Sequence, residues 1–111
     1  MSTVESQPER QMRVANSLRI DAARLRSEVK RGLVRASAAL DDPRAGVLWV
    51  EQLALAIPRV GQLTAATAVG RAGIRTSAGF ADGRRRVSEL TEGQRVAFAR
   101  ELDLLQRRKA A

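Results

Sequence analysis

Apolar and small residues recur at Val14, Leu18, Ala22, Leu25, Val29, Leu33, Ala36 and Leu40, in steps of three and four. Steps of that size put all eight on one stripe of a single helix about 100° wide. The pattern therefore predicts an amphipathic helix over 13–40 that carries on through Gly32. A second run, "VLWVEQLALAI", is apolar almost all round, with Glu51 and Gln52 as its polar residues. It predicts a helix sandwiched between others, begun by Asp42 as N-cap with Pro43 at the first helical position and stopped at Pro58. Beyond "PRVG", a short helix rich in Ala and Thr is expected from Gln62 to about Ala72, with Gly73 as its terminating glycine. "RTSAGFADG" at 75–83 reads as a loop pinned to the core by Phe80. "TEGQ" at 91–94 matches a capping box, Thr91 with Gln94, ahead of a last helix whose apolar face is Val96, Ala99, Leu102 and Leu105. No stretch alternates with the period of a strand. The expected fold is all-α: a long N-terminal helix packed on a small helical bundle.

Composition narrows the chemistry. With 111 residues the chain is one domain, and Phe80, Phe98 and Trp49 are its aromatic residues, so Ala, Leu and Val must fill the core. The expected division is a disordered lead-in over 1–12, a helical domain over 13–106 and a basic tail over 107–111. Neither Cys nor His is present, which excludes thiol nucleophiles, disulfides, zinc modules and imidazole acid–base catalysis. The acidic residues show neither paired-carboxylate nor metal-ligand spacing, and no Walker-type or Gly-rich nucleotide loop follows a strand. The expectation is no catalytic residue, no metal and no cofactor. No apolar run is long enough to span a bilayer, and the opening "MSTVESQPER" lacks the apolar region of a signal peptide. A cytoplasmic protein without a membrane partner is expected.

Charge changes the picture most. The formal net charge is +8, and of twenty basic residues all but Lys30 and Lys109 are Arg. A small protein this basic usually meets a polyanion, and the planar fork of Arg suits phosphate, although GC-rich coding favours Arg equally well. The charge gathers at the two ends: seven basic against two acidic residues over 13–35, four against four over 36–83, and eight against four over 84–111.

Three stretches are candidates for contact. In "PRVG", Gly61 allows close backbone approach at a helix start, where unpaired N–H groups favour a phosphate; Arg59, Gln62 and Thr64 add donors beside it. A plain interhelical corner explains Pro58 and Gly61 equally well. In "GRRRVSEL", Arg84, Arg85 and Arg86 cannot share one helix face, but in an extended segment they can follow a phosphate backbone; a solvated charge run is the alternative. On the first helix, Arg13, Arg24, Arg31 and Arg35 fall on one flank of the apolar stripe and Arg19, Arg26 and Lys30 on the other. Most of these are expected to solubilise the helix, with Lys30 and Arg31 as secondary contacts.

Taken in order, "RSEVKRGL" at 26–33, "LALAIPRVGQLTA" at 53–65, "AGI" at 72–74 and "RRVSEL" at 85–90 resemble the actinobacterial integration host factor family. That family runs through an Arg-x-Glu-Val-Lys segment, a Leu-Pro-Gly-Val-Gly turn and an Arg-Arg-Val-x-x-Leu segment, and the likeness covers roughly Leu18 to Leu102. The resemblance implies a helix–two-turns–helix fold and a nucleoid-associated protein that grips duplex DNA by its backbone, bending or compacting it and assisting recombination or transcription control. It places phosphate contacts on Arg59, Val60, Gly61 and Gln62, and a second set on Arg85 and Arg86. This chain departs from the pattern at Arg59, where the family has Gly, at Gln62 and Ser88, where it has basic residues, and in a longer 75–83 loop. Such departures fit a divergent or phage-encoded member. The expected partner is double-stranded DNA bound by a monomer, with structured RNA or a protein-interaction role as the alternatives.

Overall fold

The computed structural model describes residues 7–110, without the side chains of Lys109 and Ala110. Five helices follow one another: α1 (Gln7–Lys30), α2 (Ala36–Ala39), α3 (Val50–Leu55), α4 (Gln62–Arg71) and α5 (Glu92–Ala110), with short 3₁₀ turns at Pro43–Ala45 and Val87–Glu89. Among the described residues there is no strand, only isolated bridges pairing Trp49 with Arg86 and Arg75 with Ala81. The fold is all-α. No described helix is long and apolar enough to cross a membrane.

The long helix ends earlier than its periodicity predicts. Gly32 takes φ 77°, which only glycine adopts without strain. Its N–H donates to the Val29 carbonyl at 3.1 Å, and the Leu33 N–H donates to the Glu28 carbonyl at 2.8 Å. That bond pair is a Schellman motif, and it closes α1. The chain then extends through Arg35 (ψ 137°) into the four-residue α2, which packs mainly on α5. Of the eight stripe positions, Ala22, Leu25, Val29, Ala36 and Leu40 are buried, whereas Val14, Leu18 and Leu33 are 55%, 43% and 66% exposed. Leu33 points outward because the chain has left the helix; Val14 and Leu18 lie before the first buried position of α1, Ala22, and Leu18 borders an open cleft rather than the core.

Both chain ends are more helical than expected. Residues 7–12, read as lead-in, open α1: Pro8 sits in the first turn, where its missing N–H costs nothing, and Glu9 meets the positive end of the helix dipole. Residues 1–6 lie outside the described residues. Residues 107–110, read as a tail, continue α5.

α3 stands where the apolar run predicts, with Val50, Leu53 and Ala54 fully buried between α2 and α4. Asp42 does cap, but what it caps is the 3₁₀ turn: its carboxylate accepts from the Arg44 N–H at 2.9 Å. At the end of α4, Gly73 repeats the arrangement at Gly32, with φ 77° and N–H donations from Gly73 to Gly70 and from Ile74 to Val69. The capping box of α5 is present: Thr91 N–H donates to Gln94 Oε1 at 3.1 Å and Gln94 N–H to Thr91 Oγ1 at 3.2 Å. On α5 itself the core residues are Phe98, Leu102 and Leu105, while Val96 is 56% exposed. Phe80 is 73% exposed and does not pin the 75–83 loop. That loop closes on itself instead, with Thr76 N–H donating to the Phe80 carbonyl at 2.8 Å and Arg75 Nη1 to the Gly79 carbonyl at 2.7 Å.

Candidate nucleic-acid interface

The Pro58–Gly61 turn is held from below. Ile57 and Val60 are buried on either side of exposed Pro58 and Arg59, and the Val60 N–H donates to the Ile57 carbonyl at 3.2 Å. The Val60 side chain therefore belongs to the core and offers a ligand only its backbone. Arg59 takes φ 69°, a left-handed conformation held by no other described residue except glycines. Gly61 is the N-cap of α4; no side chain caps this end, and a Cβ on Gly61 would meet nothing within 4 Å. Gln62 and Leu63 beside it are exposed, Leu63 by 83%. Thr64 is half-buried and lines a separate cavity between α4 and α5 with Arg71 and Arg108.

Next to this turn lies a cleft of about 380 Å³ whose walls include Pro58, Lys30, Arg35 and Arg107. It also holds two acceptors, and both are engaged at the start of α2. Asp103 Oδ1 accepts from the Ser37 hydroxyl at 2.6 Å, and Gln106 Oε1 accepts from the Ala36 N–H at 3.0 Å. Lys30, Arg35 and Arg107 are exposed and meet no carboxylate among the described residues. Two stretches far apart in sequence, 30–35 and the end of α5 at Arg107, thus bring cations to the mouth of one turn. Arg31, the residue after α1, is exposed but does not line this cleft.

The arginine triplet is extended, because its backbone satisfies the start of α3. Val50 N–H donates to the Arg85 carbonyl at 2.8 Å, Glu51 N–H to the Gly83 carbonyl at 3.0 Å, and Val87 N–H to the Leu48 carbonyl at 2.9 Å. Extended backbone sends successive side chains to opposite sides. Arg84 lies over the Trp49 ring, 5.4 Å from its centroid, in cation–π range. Arg86 Nη1 donates to the Val47 carbonyl at 2.6 Å. Arg85 turns the other way, donating from Nε to Asp82 Oδ2 at 3.1 Å and from Nη2 to the Arg75 carbonyl at 2.7 Å. The structure therefore separates the three: Arg85 is engaged internally, and Arg84 and Arg86 keep free donors toward solvent.

Arg86 also lines a second cleft, of about 400 Å³, together with Trp49 and with Arg19 and Arg26 of α1. Arg19 and Arg26, on the α1 flank whose cations are mostly expected to solubilise the helix, thus stand at a cleft wall. The signal that marks them is spacing: at 100° per residue, Arg19, Arg26 and Lys30 fall within about 40° of one another on α1.

Comparison with known proteins returned no matching family model, no matching curated protein and no matching solved structure.

Proposed function

We propose that this chain is a nucleoid-associated protein that binds the phosphate backbone of double-stranded DNA with little base readout, bending or compacting it. The observation that carries this reading is the convergence of Lys30, Arg35 and Arg107 on the cleft walled by Pro58, beside exposed Arg59, three cations against the single carboxylate of Asp103, whose Oδ1 already accepts from Ser37. Cations free of carboxylates offer their donors and charge to an outside anion. Neutralised phosphates release counterions, so four such contacts give a slope of log K against log salt of about −3.6 on B-DNA. The start of α4, which no side chain caps, follows directly on this turn and leaves N–H groups that suit a phosphate.

Two further points favour DNA and the helix–two-turns–helix relationship. Arg59 stands where the resembling family has Gly, and it holds the left-handed conformation that a Gly there would serve. The exposed surface is also poor in aromatic side chains, which single-stranded bases need for stacking. A fluorescence-anisotropy titration of the whole chain with a labelled 20-base-pair DNA duplex tests the reading, over a salt series and against an RNA duplex of equal length. Steeply salt-dependent binding with preference for DNA is expected. Binding insensitive to salt, or won by the RNA, overturns it.

A further inference from the structure

The second cleft gathers basic side chains without an acidic one. Its cations come from two directions, Arg19 and Arg26 from α1 and Arg86 from the extended segment, and no carboxylate lines it. Arg86 is held in place by the Val47 carbonyl at 2.6 Å, and a guanidinium so anchored keeps most of its five N–H donors for another acceptor. At the rim Arg84 is stacked on Trp49, which fixes a further charge without neutralising it.

Helix geometry ties this cleft to the turn. Arg19, Arg26 and Lys30 share one side of α1; the first two line the second cleft and the third lines the cleft at Pro58. From Arg19 to Lys30 is eleven residues, about 16 Å along the helix. B-DNA carries a phosphate about every 3.4 Å of duplex axis on each strand, so cations spread over about 16 Å can each meet a different phosphate of one duplex. Three cations on one side of α1, spread over that length, fit contacts to a single duplex.

We infer that the Arg19–Arg26–Arg86 cleft is a second phosphate-binding surface, and that α1's flank joins it to the Pro58 turn so that both grip the same DNA duplex. This rests on the backbone-binding reading above, and adds to it a specific surface and a one-duplex geometry. With Arg19, Arg26 and Arg86 engaged, the salt slope steepens from about −3.6 to about −6. Arg85 has no part in it.

The test compares the full chain with R19A/R26A, with R19K/R26K and with R100A, an exposed α5 cation outside both clefts. Each is titrated with a 20-base-pair duplex between 50 and 200 mM salt, with helix content followed by circular dichroism. For R19A/R26A the slope should fall by about 1.8, making the affinity loss across that fourfold salt range about ten-fold smaller. R19K/R26K and R100A should keep the wild-type slope. Wild-type slope in R19A/R26A, alongside steep wild-type binding, overturns the second surface and leaves the turn patch standing. Absence of salt-dependent binding by the unaltered chain overturns the underlying reading instead. A mixture of donor- and acceptor-labelled duplexes checks the geometry: no energy transfer is expected, and transfer that needs protein overturns the single-duplex arrangement in favour of bridging.

Discussion

Arg85 Nε donates to Asp82 Oδ2 at 3.1 Å, and the same guanidinium reaches the Arg75 carbonyl at 2.7 Å. One side chain thus ties the end of the 75–83 loop to the segment that caps α3. Its neighbours on either side face the other way. Substituting Arg85 should act on stability: R85A is expected to cost about 1–2 kcal/mol, since a half-buried charge-assisted bond and a carbonyl partner are lost together. R86A loses one exposed bond, to the Val47 carbonyl, so it should cost less stability than R85A while weakening DNA binding with a shallower salt slope. Thermal melts and salt-series titrations of the two single variants separate these effects; the reverse assignment would show that the alternation does not govern contact.

The glycines closing α1 and α4 carry a second expectation. Gly32 and Gly73 both have φ 77°, and at both a Cβ would meet nothing within 4 Å, so the cost of alanine is conformational rather than steric. G32A and G73A should each lose about 1–2 kcal/mol. For a domain this small, that lowers the melting temperature by roughly 5–10 °C. An unchanged melt for G32A would mean that α1 runs on past Lys30, as the apolar spacing alone predicts.

Asp42 makes stability depend on pH in one direction. Hydrogen bonding from the Arg44 side chain, opposed by burial and aided by the Arg44 N–H, holds its carboxyl below the usual range, while Arg44 also pairs with Glu28. A group with a depressed folded pKa stabilises above its unfolded value, near 3.9, and loses that contribution as pH falls through the folded value. Asn keeps the cap on the Arg44 N–H but removes the charge. D42N should therefore melt lower than wild type at pH 6, and the gap should close as pH falls below about 4. A gap constant over that range would assign the effect to the cap alone.

Much of this fold can be read along the chain because its signals are local. The Thr91–Gln94 box, the stop at Pro58 and the all-round apolar run of α3 each need only neighbouring residues. Gly73 and Gly32 show where locality fails. Both end their helices by the same hydrogen bonds, yet Gly73 precedes a loop-rich stretch whereas Gly32 is followed by Leu33, Ala36 and Leu40 in continued helical register. Two of those three do reach the core, from α2 rather than α1, so the periodicity was honoured by a different path of the backbone. The site divides similarly. The turn and the arginine triplet stand out in sequence, but which arginine faces solvent depends on the Gly83 and Arg85 carbonyls docking on α3, a contact more than thirty residues away. That Arg107 joins Lys30 and Arg35 is tertiary and leaves no mark in spacing.

Arg59 separates stability from binding within one residue. Its φ of 69° costs an L-residue about 1–2 kcal/mol relative to glycine, partly offset by the extra freedom glycine brings to the unfolded chain. R59G should therefore raise stability by about 0.5–1 kcal/mol. The same change removes an exposed cation beside free Lys30, Arg35 and Arg107, so the salt slope on DNA should fall by about 0.9 and affinity with it. A variant that is more stable and yet binds less well can only be explained by a side chain kept for contact at the expense of backbone strain. If R59G gains stability with no change in slope, the arginine is a tolerated corner residue and contact at the turn falls to the backbone of Gly61 and its neighbours.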